Sequence, residues 1–208
     1  MKKIHLIDMV ADFLAGGDAP AEIKGRYHPE IIANHLALAY NRIVFETYME
    51  AKSYSDYSTL DAWAKNHTIS IVDNTVALPY PPVQLPNGMG ILQVSAGTSL
   101  NTTFAYRETN ANSVFNELDV GSISTKPTFY LEVNAGSGNN SHVLQLALVP
   151  AGVTTVKVKM IVPLDEVDDY ATIMIPAGKE DTIIGYVIEL MMKKPSEDKI
   201  IDGNANQR

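Results

Sequence analysis

The 208-residue chain contains no cysteine. This absence excludes disulfide-stapled scaffolds, thiolate zinc sites, iron-sulfur clusters and cysteine nucleophiles. Basic residues are also few, with 16 Lys and Arg against 24 Asp and Glu and a formal net charge of -8. A dedicated phosphate-binding surface is therefore disfavoured, because such surfaces concentrate positive charge.

Long uninterrupted apolar runs are missing as well. Asp8 and Asp12 interrupt the apolar stretch near the start, so it does not have the continuous core of a secretory signal. The most apolar later run, 183–192, contains Glu189 and is shorter than the roughly 20 residues that a membrane span needs. We therefore expect neither a targeting segment nor a membrane span.

Hydrophobic residues make up 46% of the chain and charged residues 19%, a composition that supports a packed core and argues against disorder. Apolar residues repeat with helical spacing near both ends of the chain. These patterns predict helices over 4–14, over 28–52 and over 180–194, and a further short helix that begins at Ser58.

The periodicity changes to that of β-strands after His67. The segments concerned are short, rich in β-branched or aromatic residues, and separated by proline, glycine and asparagine. They are 68–72, 90–96, 102–107, 128–134, 142–149 and 153–162. The stretch 78–89 carries prolines that cannot donate to a central ladder, so we expect an edge or an extended connection there.

This order of elements predicts an α+β fold in which a helical bundle carries an inserted antiparallel β-sandwich-like module. The bundle consists of the N-terminal helices and the C-terminal helix. We place the N-terminal part of this helical body at 1–66, the inserted β module at 67–175, the closing helix at 176–194 and a C-terminal tail at 195–208.

Residues with catalytic or metal-binding chemistry do not cluster in the sequence. His28 and His35 are seven positions apart but lack a His-Glu-x-x-His pattern. The acidic run 165–169 lacks the spaced ligands and central glycine of a calcium loop, which favours a solvated turn. We therefore expect no metal, no cofactor and no enzyme activity. A hydrolase is the last-ranked alternative, because its residues converge only in the folded chain.

Four aromatic residues lie in the predicted strands: Phe104, Tyr106, Phe129 and Tyr130. Alternation along a strand favours packing of these rings in a core or an interface over a platform for sugars or bases. A carbohydrate- or receptor-binding β module on a helical adaptor is the alternative function that these residues leave open.

Three stretches of the sequence carry a resemblance to a known family. They are HPEIIANHLALAYNRIVFE, LPYPPVQLPNGMGI, and IPAGKEDTIIGYVIELMMKKP followed by SEDKIIDGN. Together they resemble the head-to-tail connector proteins, ring or adaptor, of crAss-like and related short-tailed bacteriophages. The resemblance covers residues 1–195, and in that family a helical bundle carries an inserted β module.

The resemblance implies a virion structural protein that forms a ring in the head-to-tail connector or tail barrel of a podovirus. The implied partners are further copies of the chain, in a dodecamer, together with the portal protein and other ring or tail proteins. The ring bridges portal and tail, and DNA passes through its channel during ejection without recognition of a specific sequence. The implied location is the virion, after assembly in the host bacterial cytoplasm and with no membrane contact.

A closed ring needs two unlike surfaces on each subunit, which the helical body and the β module can supply. An acidic channel wall repels the phosphate backbone, so we expect DNA to slide past it. Aromatic side chains bury large areas and keep a polar tip, which makes four tyrosines candidate interface anchors. These are Tyr40, Tyr48, Tyr54 and Tyr57, with core packing as the alternative role.

Overall fold

The computed structural model describes residues 1–16, 28–97, 99–107, 127–133 and 142–192. Within these ranges the α-helices are α1 (Lys3–Leu14), α2 (Pro29–Tyr54) and α3 (Glu180–Met192). The strands are β1 (Lys65–Ser70), β2 (Thr75–Ala77), β3 (Ile91–Ala96), β4 (Ser99–Tyr106), β5 (Thr128–Val133), β6 (His142–Ala147) and β7 (Thr155–Met160). The fold is therefore α+β. The stretch 134–141, between two of the expected strands, and the expected tail at 195–208 lie outside the described residues.

The long helix α2 begins and ends at residues suited to those positions. Pro29 occupies the first turn, where its missing N–H removes no helical hydrogen bond, and the His28 side chain accepts from the Glu30 backbone N–H at 3.4 Å. At the other end Ser55 adopts a left-handed conformation and its N–H returns to the last-turn carbonyls. The helix predicted over 28–52 is thus confirmed, with two further residues at its end.

The helices share one apolar core, in which α2 packs against both α1 and α3. The start of α1 is held by the segment that precedes α3. The Lys3 ammonium donates to the Val167 carbonyl at 3.0 Å and pairs with Asp169 at 3.0 Å, and the Ile4 N–H donates to the Asp169 carbonyl. These contacts bring the two ends of the described chain into one body.

The strands form a single sheet in the order β1-β7-β3-β4-β5-β6-β2. Its pairs are antiparallel except for β4 and β5, which run parallel, so the sheet is mixed and not purely antiparallel as expected. Sequence reasoning also missed β2, which has only three residues. Because the outermost strands β1 and β2 are joined by a short turn at 71–74, the sheet curls until it is nearly barrel-shaped.

The proline-rich stretch 78–89 crosses between the sheet and the helices in extended form, as expected, with one 3₁₀ turn at Pro86–Gly88. The Val83 N–H donates to the Ile161 carbonyl at 2.9 Å, and the Ile161 N–H donates to the Gly90 carbonyl at 2.9 Å. Val83 and Ile161 both belong to the helical core. This stretch therefore attaches the sheet to the helical body.

The short helix after α2 differs from the sequence expectation in type and in cap. It is a 3₁₀ helix, Tyr57–Trp63, and its N-cap is Asp56 instead of Ser58. The Asp56 carboxylate accepts from the Ser58 backbone N–H at 3.0 Å, and this hydrogen bonding lowers the pKa of Asp56. A carboxylate two residues earlier competes successfully with the hydroxyl for the free N–H groups of the first turn.

None of the helices in the described ranges combines the length and the apolar character that a membrane span requires.

Candidate subunit interface

Helix α2 has two apolar faces. The first faces the core and includes Ile32, Leu36 and Ile43, which are fully or almost fully buried. The second faces solvent. At 3.6 residues per turn the second face lies on the side of the helix opposite the first.

We call the second face the α2 stripe; it consists of Ile31, Leu38, Phe45 and Met49. Their exposed fractions range from 46% for Phe45 to 62% for Leu38. The spacings of seven, seven and four residues are those of one side of a helix that packs against another helix. From Ile31 to Met49 the stripe extends about 27 Å along the helix. Isolated exposed apolar residues are common, whereas an aligned set of this length is a candidate interaction surface.

Polar contacts fix α3 to the flank of α2 and leave the stripe uncovered. Arg42 Nε donates to Glu46 Oε1 at 2.9 Å, and its guanidinium lies 4.6 Å from the centroid of the Tyr186 ring on α3. The Tyr186 hydroxyl donates to the Glu46 carboxylate at 3.3 Å. The hydrogen bond to Glu46 is the main reason that the pKa of Arg42 is raised, and this charged guanidinium borders the stripe.

A groove of about 540 Å³ runs beside Phe45, on the flank of α2 away from α3. Its floor is apolar and includes Pro81 and Pro82, while Asp165 and Glu166 stand at its edge. Within the described part of the chain, no atom hydrogen-bonds to the buried Oδ1 of Asn41 in this groove. The groove thus widens the stripe into a surface with both apolar and acidic character.

The four tyrosines expected at an interface separate into two buried and two exposed residues. Tyr40 is 3% exposed and Tyr48 is 1% exposed, so both take the alternative role of core packing. They point into the bundle because each lies four residues from the fully buried Val44, on the same face of α2. Tyr54, the last residue of α2, and Tyr57, the first residue of the following 3₁₀ helix, are exposed, although the Tyr57 ring also contacts Tyr48.

A separate exposed apolar pair lies on α1. Met9 and Phe13 are four residues apart, which puts them on one side of the helix, and both are exposed. The core face of α1 contains Leu6 and Val10. The described chain therefore presents apolar surface on two different helices.

The aromatic residues expected in the strands lie mainly inside the protein. Phe104 and Phe129 are buried in the core of the sheet. Tyr106 is exposed and meets Phe129 edge to face at 5.5 Å, and Tyr130 is half-buried. This arrangement leaves few ring faces for a sugar to stack on.

The acidic run at 165–169 combines local structure with one long-range ion pair. Its first part forms the 3₁₀ helix Leu164–Glu166, Asp168 accepts weakly from the Tyr170 N–H, and Asp169 pairs with Lys3. Among the residues that the structure describes, no three His, Asp or Glu side chains stand close enough to hold a metal ion.

In comparisons with known proteins, no family model and no curated protein matches this chain.

Sequence reasoning missed the α2 stripe, although Ile31, Leu38 and Phe45 recur every seven residues. It used the apolar repeat to predict the helix and assigned no role to the residues on its other side. A search for two opposed stripes would have found both.

Proposed function

We propose that this protein is a virion structural subunit that forms a ring in the head-to-tail connector or tail barrel of a short-tailed bacteriophage. In this role it is not an enzyme. It joins the portal protein to the tail and surrounds the DNA channel. The finer architecture belongs to the same proposal: a helical bundle packs against neighbouring copies, and the inserted sandwich-like β module provides the second surface.

The α2 stripe is the observation that carries the proposal. Burial of an apolar helix face against another protein is favourable in proportion to the area removed from water. A stripe about 27 Å long and about 10 Å wide covers on the order of 270 Å². Because a standard interface buries roughly 800 Å² on each partner, the contact has to extend from the stripe onto its flanks.

The flanks supply the additional area. On one side lies the groove lined by Pro81, Pro82 and Asp165, and at the end of the helix Tyr54 and Tyr57 are exposed. The groove's acidic edge favours a neighbour that brings a basic group to this position. A ring interface of standard size would therefore have to cover the groove and further surface beyond the stripe.

Ring closure also requires unlike surfaces on one subunit, because each copy meets its two neighbours through different patches. The apolar pair Met9 and Phe13 on α1 is the second apolar surface in the helical body. A symmetric dimer would need only one self-complementary patch. Apolar surface on two different helices therefore favours a ring over a pair.

The net charge of -8 suits a channel wall. Binding to DNA by counterion release needs Lys and Arg along the phosphates, and an acidic wall lacks that attraction. DNA can then move through the ring without being retained. This part of the proposal applies to the channel surface and does not depend on which residues form the contacts between copies.

The test is assembly of the purified protein, measured by light scattering over a range of concentrations and by electron microscopy. We expect a concentration-dependent increase in mass and ring-shaped particles. Leu38→Glu places a charge in the centre of the stripe and should weaken assembly at least tenfold. Met192→Glu is the matched control, because Met192 is equally exposed on a helix but lies outside the stripe.

Circular dichroism should give the same spectrum for both variants, since neither residue is in the core. A wild-type protein that stays monomeric at all concentrations, and that forms no ring when co-produced with the portal protein of its virus, would contradict the proposal. Equal assembly of Leu38→Glu and Met192→Glu would show that the stripe is not the interface.

A further inference from the structure

A cavity of about 40 Å³ lies where the helical body meets the sheet. We call it the Trp63 cavity. Its walls include Tyr40 of α2, Trp63 at the end of the 3₁₀ helix, Lys65 and His67 of β1, and parts of the segment 162–174. A cavity needs roughly 10–15 Å³ to hold one water, so this space corresponds to about three or four heavy atoms.

Two polar atoms at this cavity are buried and unpaired. Within the described residues, no atom hydrogen-bonds to Trp63 Nε1 or to His67 Nε2. The Trp63 side chain is buried almost completely, at 1% exposure. Buried polar atoms in proteins nearly always have a partner, because an unpaired one has lost its hydration without compensation. One group bound in the cavity could pair with both atoms.

The chemistry of the wall restricts that group. The Trp63 indole N–H is a donor only, so it requires an acceptor. His67 can donate through Nε2 in one tautomer, Tyr40 brings a hydroxyl, and Lys65 brings an ammonium group to the wall. A set dominated by donors with one cation favours an anion that has more than one acceptor oxygen. The remaining wall is apolar and includes Val162, Leu164 and Ile173.

From these contacts we propose that the Trp63 cavity binds a short aliphatic carboxylate of about four heavy atoms. Its two oxygens accept from Trp63 Nε1 and His67 Nε2, its charge is balanced by Lys65, and its carbon chain lies against the apolar wall. A free small acid or the end of an Asp or Glu side chain from another copy has this chemistry. The site does not depend on ring formation.

The protein has an intrinsic probe for this site, because Trp63 is its single tryptophan. Tryptophan emission of the native protein is recorded during titration with sodium acetate, and sodium chloride at equal ionic strength serves as the reference. We expect a saturable change with acetate and none with chloride. A ligand of four heavy atoms has limited binding energy, so the midpoint should lie on the order of 0.1 to 10 mM.

Two substitutions test the assignment, and a third is the control. Lys65→Gln should weaken acetate binding at least fivefold, and because Lys65 is exposed this variant should fold normally. His67→Phe should abolish saturable binding. Lys157→Gln removes an ammonium group from the outer face of the sheet and should bind acetate like the wild type. Thermal unfolding with and without acetate gives a second readout for each variant.

A series of protein concentrations without acetate distinguishes the two sources of the carboxylate. If a side chain of another copy fills the cavity, the emission changes with protein concentration. Acetate then competes with that side chain only when the protein concentration is low. If the ligand is a free acid, the emission is independent of protein concentration and responds to acetate. Emission that responds to neither variable, or equal acetate binding by wild type and Lys65→Gln, overturns the proposal.

Discussion

Tyr40 and Trp63 meet edge to face, with ring centroids 5.3 Å apart and ring planes at 76°. Tyr40 belongs to α2, and Trp63 ends the 3₁₀ helix that leads directly into β1. Both rings are buried. This contact therefore links the helical core to the first strand of the sheet.

Removal of the Tyr40 ring should destabilise the whole protein. We expect Tyr40→Ala to lower the free energy of unfolding by about 3–5 kcal/mol, as for other large buried aromatic residues. Tyr40→Phe keeps the ring and removes the hydroxyl, whose burial raises the pKa of Tyr40. Its cost should be at most about 1.5 kcal/mol. Urea unfolding of both variants measures the difference, and equal losses would contradict a role of the ring contact.

The Lys3 pair should contribute more to stability than its position at the chain start suggests. Lys3 is 7% exposed, so loss of its partner leaves a nearly buried ammonium with fewer acceptors. We expect Asp169→Asn to cost about 1–2 kcal/mol in unfolding free energy. Asp165→Asn, an exposed carboxylate in the same acidic run, should change it by less than about 0.5 kcal/mol. Similar losses in the two variants would show that the contact with Lys3 is unimportant.

Two glycines should respond to alanine in opposite directions. A Cβ at Gly90 would overlap the Val83 carbonyl oxygen, which cannot move without breaking the attachment of the proline-rich stretch. We expect Gly90→Ala to cost about 2 kcal/mol or more. At Gly185 on α3 a Cβ would meet no atom, so Gly185→Ala should stabilise by up to about 1 kcal/mol. Thermal unfolding measures both changes. A small loss of stability in Gly90→Ala would mean that the backbone at Val83 can shift to make room for the Cβ.

His67 should make stability depend on pH. Burial, and secondarily the charge of Lys65, lower the pKa of His67 below its ordinary value near 6.5. The unfolded chain therefore takes up this proton at a higher pH than the folded chain does. The contribution of His67 to the free energy of unfolding is fully present above about pH 6.5. It decreases as the pH falls through 6.5 towards the folded-state pKa.

The test of this pH dependence is urea unfolding between pH 8 and pH 5 for the wild type and for His67→Gln. The stability difference between them should decrease as the solution becomes more acidic. His5→Gln alters an exposed histidine on α1 and serves as the control. A difference that stays constant over this range would show that His67 does not have a shifted pKa.

The helices and most strands could be predicted from the sequence because their signals are local. His28–Pro29 marks the start of α2, and the alternation at 153–162 marks β7. Strand order was not predictable in the same way. β7 follows β6 in the chain but lies between β1 and β3, a placement decided by long-range packing of its buried residues, such as Val156 and Val158.

The candidate site was predictable only in part, for a physical reason. Periodicity identifies the faces of a helix but does not tell which face a tertiary partner covers. Tyr40 and Tyr48 are of a residue type that is common at interfaces, yet both are buried in the helical bundle. The Trp63 cavity joins residues from four separate stretches of the chain, and no spacing in the sequence reports that convergence.

The turn at 71–74 brings the outermost strands of the sheet together. Asp73 and Asn74 both have positive φ, as in the tight turns of hairpins. Open strand edges are where foreign strands add and fibrils grow, and the turn places the start of the β2 edge beside the end of β1. A strand from another chain would have to displace this turn before it could lengthen the sheet here.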